Sequence, residues 1–415
     1  MARADDHDDG HFDERETGDP AARESALFAR LAAHLASVVP RTPLLREHLN
    51  GIDLAGVGNR AALAALPVLR KDALREQQER HPPFGGLLPE GTVPPRVFVS
   101  PGPIREPQGA GADPYRAARA LHAAGFRPGD RVVNCFGYHG TPGGFILDEG
   151  ARALGCSVFP AGPGNTDATV AAMRAFAFTH YCGTPDFLQS LLDRAEAENG
   201  EPLGVTHALV SGGALFPAMR DGYGARGVRV MQCLATADLG VIAHETASGN
   251  TIHPGMVVNE DVIVEIVTPG TGDPVEPGEV GEIVVTTLDP SWPLVRFATG
   301  DMTRELDGPA PSAHTNTRIA GWMGRADQRT KVRGMFVDPA QVAALRRRFP
   351  LIERARLVVT REGDADAMEL RVVGDVDADE VTGAMREVFA LRGTVRRVNE
   401  LPADGVVIED ARDYP

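Results

Sequence analysis

Apolar positions in this chain follow a helical period first, then an alternation of strand and helix, then a strand period of two. Residues 1–20 are rich in Asp, Glu and His, with Phe12 the only large apolar residue besides Met1, and are expected to form a disordered acidic tail. Ala21 to Val39 places Leu27, Phe28, Leu31, Leu35 and Val38 on one helical face, and Pro40 ends it. Leu44 to Gln78 reads as short helices broken by Gly and Pro, and Pro82 to Pro95 as loop. Arg96 to Ser100 is a short apolar strand.

From Pro114 to Val230 the pattern alternates. Helices are predicted over Tyr115–Ala124, Gly144–Leu154, Asp167–Phe176, Asp186–Glu198 and Pro217–Ala225. Strands follow them over Arg131–Phe136, Cys156–Pro160, Thr179–Cys182, His207–Val210 and Val228–Gln232. Such alternation implies an α/β fold with a parallel sheet covered by helices on both faces. Ligands of such sheets bind beyond the C-terminal strand ends. His244 to Gly281 is strand-rich, and Val262–Val267 with Glu282–Thr287 alternates as a half-exposed hairpin does. Leu306 to Thr317 is polar loop. After it, Lys331–Arg333, Asp338–Arg348, Ala355–Arg361, Glu369–Val373, Ala378–Leu391 and a strand near Val395 predict a small α+β domain.

The length of 415 residues exceeds one ordinary core, so two domains are expected. The domains are read as 21–327 and 328–415. With 43% hydrophobic and 24% charged residues the composition is that of a globular protein. No apolar run is long enough for a membrane span, and the first twenty residues lack a signal-peptide core, so a cytoplasmic location is expected. The net charge of −15 argues against nucleic acid as a partner. Cys135, Cys156, Cys182 and Cys233 are scattered without C-x-x-C spacing and read as reduced core residues. Lys71 and Lys331 are the only lysines.

Candidate chemistry clusters where strands end. Leu294 to Ala298 is an apolar strand running into Thr299-Gly300-Asp301; the glycine permits close backbone approach, and the Asp301 carboxylate can accept two hydroxyl hydrogen bonds, as a ribose diol offers. Gly324-Arg325-Ala326-Asp327 follows. Three loops fall at the C-terminal ends of the predicted parallel strands: Gly137 to Gly144, with Tyr138 and His139; Ser211 to Ala214, with Gly213; and Cys233 to Gly240, with Leu234, Ala235, Thr236, Ala237 and Asp238.

In this order and spacing the segments resemble the core motifs of the adenylate-forming superfamily, and its phenylacetate–CoA ligase branch in particular. Gly278 to Thr286 resembles the barrel-like β subdomain of that family, and residues 328–415 its C-terminal lid. The resemblance implies an acid–thiol ligase that uses ATP, Mg²⁺ and CoA, activating an aromatic or apolar carboxylate as acyl-AMP. It implies Asp301 and Arg325 on the ribose, Gly213 and Ala214 beside adenine, and Leu234 to Ala237 lining the nucleotide, with Leu234 in place of a stacking aromatic. It further implies Asp238 on Mg²⁺, Tyr138 and His139 in the acyl pocket, Asp327 as hinge, and a possible homodimer. Basic residues of the lid would meet CoA phosphates.

Two segments depart from the family pattern. Where the family has a Ser/Thr/Gly-rich phosphate loop ending in Gly-Lys-Pro, this chain has Pro101 to Gly109, in which three prolines remove N–H donors and no lysine stands. Where the family has a C-terminal catalytic lysine, this chain has Val406, with Arg412 as the candidate substitute cation. A degenerate nucleotide- or acyl-binding protein and an enzyme retaining only thioester formation therefore stand as alternatives.

Overall fold

The protein is described by a computed structural model covering residues 11–100, 102–308, 310–326, 328, 330–362, 365–402 and 406–412. It divides into two compact units, one of Met1–Thr299 with Thr303–Trp322, the other of Gly300–Met302 with Met323–Pro415.

The first unit is built on a nine-stranded sheet. Ser157–Pro160, Arg131–Asn134, His180–Gly183, His207–Val210 and Arg229–Thr236 lie side by side and parallel. The expected helices connect them: Gly143–Ala153, Thr166–Phe176, Pro185–Asn199 and Pro217–Ala225. The helix expected from Tyr115 is shorter, Ala118–Ala123, because Arg116 takes φ 59° and the Asp113 carboxylate accepts the Ala117 and Ala118 N–H groups at 2.9 Å. Gly240–His244, Met256–Val258, Arg318–Ile319 and Glu305–Leu306 extend the sheet antiparallel. A second sheet orders Leu69–Arg70, Phe297–Thr303, Gly281–Thr287 and Val262–Val267; the last two pair antiparallel as expected but are buried on both faces rather than half-exposed. All four cysteines are buried and free, and burial pushes the Cys135 and Cys233 thiols up to about 12.

Two sequence readings are corrected in this unit. Over residues 11–20 the expected disordered tail is packed: Asp13 caps a turn at Glu14–Glu16, and Glu16 is 3% exposed. The reason is charge, not apolar area. Buried Arg119 pairs with Glu16 at 3.0 Å and with Asp13, so the segment supplies the carboxylates that a buried guanidinium requires. Burial would raise Glu16, but His314, the Phe12 N–H and Arg119 together bring it to about 2. The second correction concerns Leu234. The strand expected to end at Gln232 runs on to Thr236 because Gly240–His244 folds back to pair with it. Leu234 thereby points into the core with Leu239 and Ile242, 7% exposed, and offers no open stacking face.

The second unit is a four-stranded sheet ordered Thr394–Arg397, Ala365–Val373, Arg354–Glu362 and Ile408–Asp410. Helices Pro339–Arg348 and Ala378–Phe389 bury Leu345, Val381, Met385 and Phe389 with the sheet residues Leu357, Val359 and Leu370. The strand Ile408–Asp410, unexpected from sequence, pairs parallel to Leu357–Val359. No helix among the described residues is long and apolar enough to cross a membrane.

Candidate functional site

In the first unit the three loops follow the strand ends at Asn134, Val210 and Thr236. Tyr138 is held firmly. Its hydroxyl donates to Asp148 Oδ2 at 2.7 Å and accepts from Asn134 Nδ2 at 2.8 Å, so its polar end is engaged and the side chain is half-buried. The ring packs over Gly144, where a Cβ would come within 2.7 Å, and edge-on to Phe145. His139 is exposed and does not share this packing. The Ser211 hydroxyl donates to the Cys233 carbonyl at 2.9 Å and ties the second loop to the third. Gly213 is exposed and Ala214 half-buried beside it; Ala235, Thr236 and Ala237 are half-buried, and Thr236 Oγ1 accepts the Leu239 N–H at 3.2 Å.

Asp238 is the chemical centre of the third loop. It is 8% exposed, and its Oδ2 lies 2.6 Å from Lys71 Nζ, at the start of helix Lys71–Arg80. Glu106, on strand Arg105–Pro107, is 2% exposed, and neither of its carboxylate oxygens has a hydrogen-bond partner; Asp238 Oδ1 is likewise unpartnered. Burial and the neighbouring Asp238 charge hold Glu106 well above the usual carboxylate range. Pro107, Gly109, Tyr115, Ala237, Asp238 and Asp289 line one small cavity here. The sequence assigns neither Lys71 nor Glu106 a role beside Asp238, since neither lies near the third loop in the chain.

The proline-bearing segment forms a two-stranded hairpin, Val97–Val99 with Arg105–Pro107. Two of its N–H groups are engaged: Ser100 donates to the Ile104 carbonyl at 2.9 Å, and Arg105 to Gln78 Oε1 of the helix Lys71–Arg80 at 2.8 Å. This agrees with a rigid turn.

In the second unit Gly300-Asp301 and Gly324-Arg325 lie side by side. Met302 N–H donates to the Gly324 carbonyl and Ala326 N–H to the Gly300 carbonyl, each at 2.9 Å. Arg325 donates to Asp301 Oδ1 at 3.0 Å, and Asp301 is 9% exposed. Gly300 has φ 76°, a conformation that favours glycine, and a Cβ there would sit 2.5 Å from the Arg325 guanidinium. Asp327, the implied hinge, lies outside the described residues.

Val406 offers a backbone carbonyl to Arg356 Nε at 3.1 Å and no charge. Arg412 is not a substitute cation. It is 9% exposed and clamped by Asp366 at 3.0 Å, Asp410 at 2.5 Å and the Lys331 carbonyl at 2.9 Å, all within its own unit. A separate groove of this unit is lined by Arg333, Arg371, Arg392 and Arg396 with Thr360 and Thr394.

This architecture is that of an adenylate-forming enzyme. Residues 149–288 match the AMP-binding enzyme family model. The solved structure of a 2-hydroxyisobutyryl-CoA ligase in complex with 2-HIB-AMP and CoA, in its thioesterification state, superposes with a TM-score of 0.76 at 25% identity, covering 96% of this chain and 92% of that one. The phenylacetate–coenzyme A ligase of Thermus thermophilus is 30% identical over 395 residues, 89% of this chain and 87% of the relative. That of Aromatoleum evansii is 30% identical over 328 residues, 75% of this chain and 72% of the relative. The chain belongs to the phenylacetate–coenzyme A ligase family. The activity that membership carries is ATP-dependent, AMP-forming ligation of a carboxylate to CoA.

Proposed function

We propose that this protein activates an aromatic or apolar carboxylate and transfers it to CoA with phosphate contacts of its own kind. A carboxylate oxygen attacks the α-phosphorus of ATP, pyrophosphate leaves, and the CoA thiolate then displaces AMP from the acyl carbon. The protein's part is positioning and charge stabilisation. The observation that carries the reading is the Asp301–Arg325 pair, which sets a carboxylate beside a guanidinium in the two segments of the ribose motif. Gly213, Ala214 and Ala235 to Ala237 supply small side chains around the nucleotide. Tyr138, with its hydroxyl engaged, offers an apolar ring to the acyl group, which supports the choice of acid.

Asp238 would hold Mg²⁺, and its unpartnered Oδ1 suits a hard cation. That ion, when bound, neutralises phosphate charge. Lys71 is the cation nearest this carboxylate and takes over part of the charge stabilisation that the lysine-free Pro101–Gly109 segment does not provide. Lys71→Met is therefore expected to lower the ATP–pyrophosphate exchange rate about 10²–10³-fold, with Lys71→Arg retaining part of it. An exchange rate unchanged in Lys71→Met would remove Lys71 from the mechanism. The arginine-lined groove of the second unit suits CoA phosphates. A cytoplasmic location and a possible homodimer belong to the same reading.

ATP–pyrophosphate exchange over a panel of aryl and short acyl acids tests the proposal. Exchange is expected with aryl and apolar acids above polar ones. No exchange with any acid, while AMP still raises the melting temperature, would overturn adenylation; CoA consumption from synthetic acyl-AMP would then identify a thioester-forming enzyme.

A further inference from the structure

Away from the residues assigned above, the first unit holds a second cluster of ligating groups. Glu16 lies in the turn Glu14–Glu16, His244 ends strand Gly240–His244, and His314 lies between strands Glu305–Leu306 and Arg318–Ile319. One carboxylate oxygen and one ring nitrogen from each histidine fall within 4.8 Å of one another. We propose that Glu16, His244 and His314 bind one divalent transition-metal ion, zinc by the chemistry of the donors, which pins the N-terminal segment onto the sheet.

Four observations support it. First, all three residues are buried: 3% exposed for Glu16, 2% for His244 and 7% for His314. Second, neither ring nitrogen of His244 has a hydrogen-bond partner. A buried unmet polar group costs about 1–3 kcal/mol, and metal ligation removes that cost at the coordinating nitrogen. Third, His314 Nε2 lies 3.5 Å from Glu16 Oε2. Two ligands each about 2.0–2.1 Å from a tetrahedral Zn²⁺ are separated by about 3.3–3.4 Å. Fourth, the surroundings orient the ligands. Ser312 Oγ donates to Thr246 Oγ1 at 2.8 Å and lies 2.9 Å from His314 Nδ1, an arrangement that puts the ring proton on Nδ1 and the lone pair on Nε2. Glu16 is fixed by Arg119 on Oε1 and by the Phe12 N–H on Oε2 at 2.7 Å.

A protonated His314 paired with Glu16 is the competing arrangement. It satisfies those two residues but leaves both nitrogens of His244 unmet, whereas an ion engages all three. Two imidazoles and a carboxylate suit zinc and leave a fourth position for water. The nearby charges do not exclude a cation: Glu16 and Asp13 outnumber the Arg119 they pair with, and Arg23 faces Glu260.

The test uses the full chain. Metal content is measured on the purified protein; the chelator-treated protein is then titrated with Co²⁺ and Zn²⁺. The expected results are about one zinc per chain, visible d–d absorption from bound Co²⁺, and a zinc-dependent rise in melting temperature. His244→Ala and His314→Ala should lose the Co²⁺ absorption and the zinc-dependent rise. Glu16→Gln, which keeps shape and is checked for native circular dichroism, should weaken Co²⁺ binding at least about tenfold. His253→Ala, outside the cluster, should keep all three signals. Absence of Co²⁺ and Zn²⁺ binding at micromolar metal, or a wild-type Co²⁺ spectrum in His244→Ala, overturns the proposal.

Discussion

Replacing Asp301 with alanine is expected to reduce ATP–pyrophosphate exchange about 10²–10⁴-fold while the circular dichroism spectrum stays native. A hydrogen bond to a charged group contributes about 1.5–3 kcal/mol, and a ribose diol offers two to one carboxylate. Each 1.36 kcal/mol is tenfold in rate. The same change leaves Arg325, 3.0 Å from Asp301 in the native pair, without its carboxylate. Asp301→Asn keeps the size of the group and loses its charge, so its deficit should be smaller. Exchange within threefold of wild type in Asp301→Ala would remove this residue from the nucleotide site, and with it the observation on which the functional proposal rests.

The second large effect is on stability. Arg296 is 1% exposed, and its guanidinium donates to Glu265 Oε2 at 3.0 Å and to the carbonyls of Ala64 at 2.7 Å, Leu66 at 2.5 Å and Gly272 at 2.7 Å. Arg296→Met fills most of the volume but leaves Glu265 uncompensated and three carbonyls without their donor. Breaking a buried pair from one side costs about 3–5 kcal/mol, and urea unfolding should show that loss. Lysine at this position delivers one ammonium in place of a planar fork and should recover only part. The double variant Arg296→Met with Glu265→Met should be more stable than Arg296→Met, because no charge is left stranded.

The loss depends on pH in a defined direction. Burial already raises Glu265 above its ordinary 4.5, against the lowering effect of Arg296. Without Arg296 the folded-state value rises further. A carboxyl whose folded value lies above its unfolded one loses stability as pH climbs through the unfolded value, since the unfolded chain then ionises more easily. The deficit of Arg296→Met should therefore be smallest below about pH 4.5 and grow toward neutrality. A pH-independent deficit would show that Glu265 is not the stranded group.

Much of the first unit was legible because its signals are local. Pro217 opens a helix at the position where the pattern turned from strand to helix, and the run from Arg131 to Gln232 alternates because each crossover helix follows its own strand. The Thr-Gly-Asp and Gly-Arg segments were legible as motifs, and the second unit brings Asp301 and Arg325 together. Leu234 was misjudged because where its strand ends depends on the pairing of Gly240–His244. Arg412 was misjudged because the carboxylates that hold it, Asp366 and Asp410, belong to two different strands.

The amino-acid sequence by itself determined the α/β class, the order of strands and helices, the family motifs and the two departures from them at Pro101–Gly109 and Val406. These are properties of spacing and residue type, which neighbouring positions carry. Only the tertiary structure decided that Lys71 meets Asp238 beside the buried Glu106, that Glu16 closes on Arg119, and that His244 faces His314. The physical reason is that buried charge and imidazole are tolerated only with partners. Those partners come from segments 70 or more positions apart, where no local period records them.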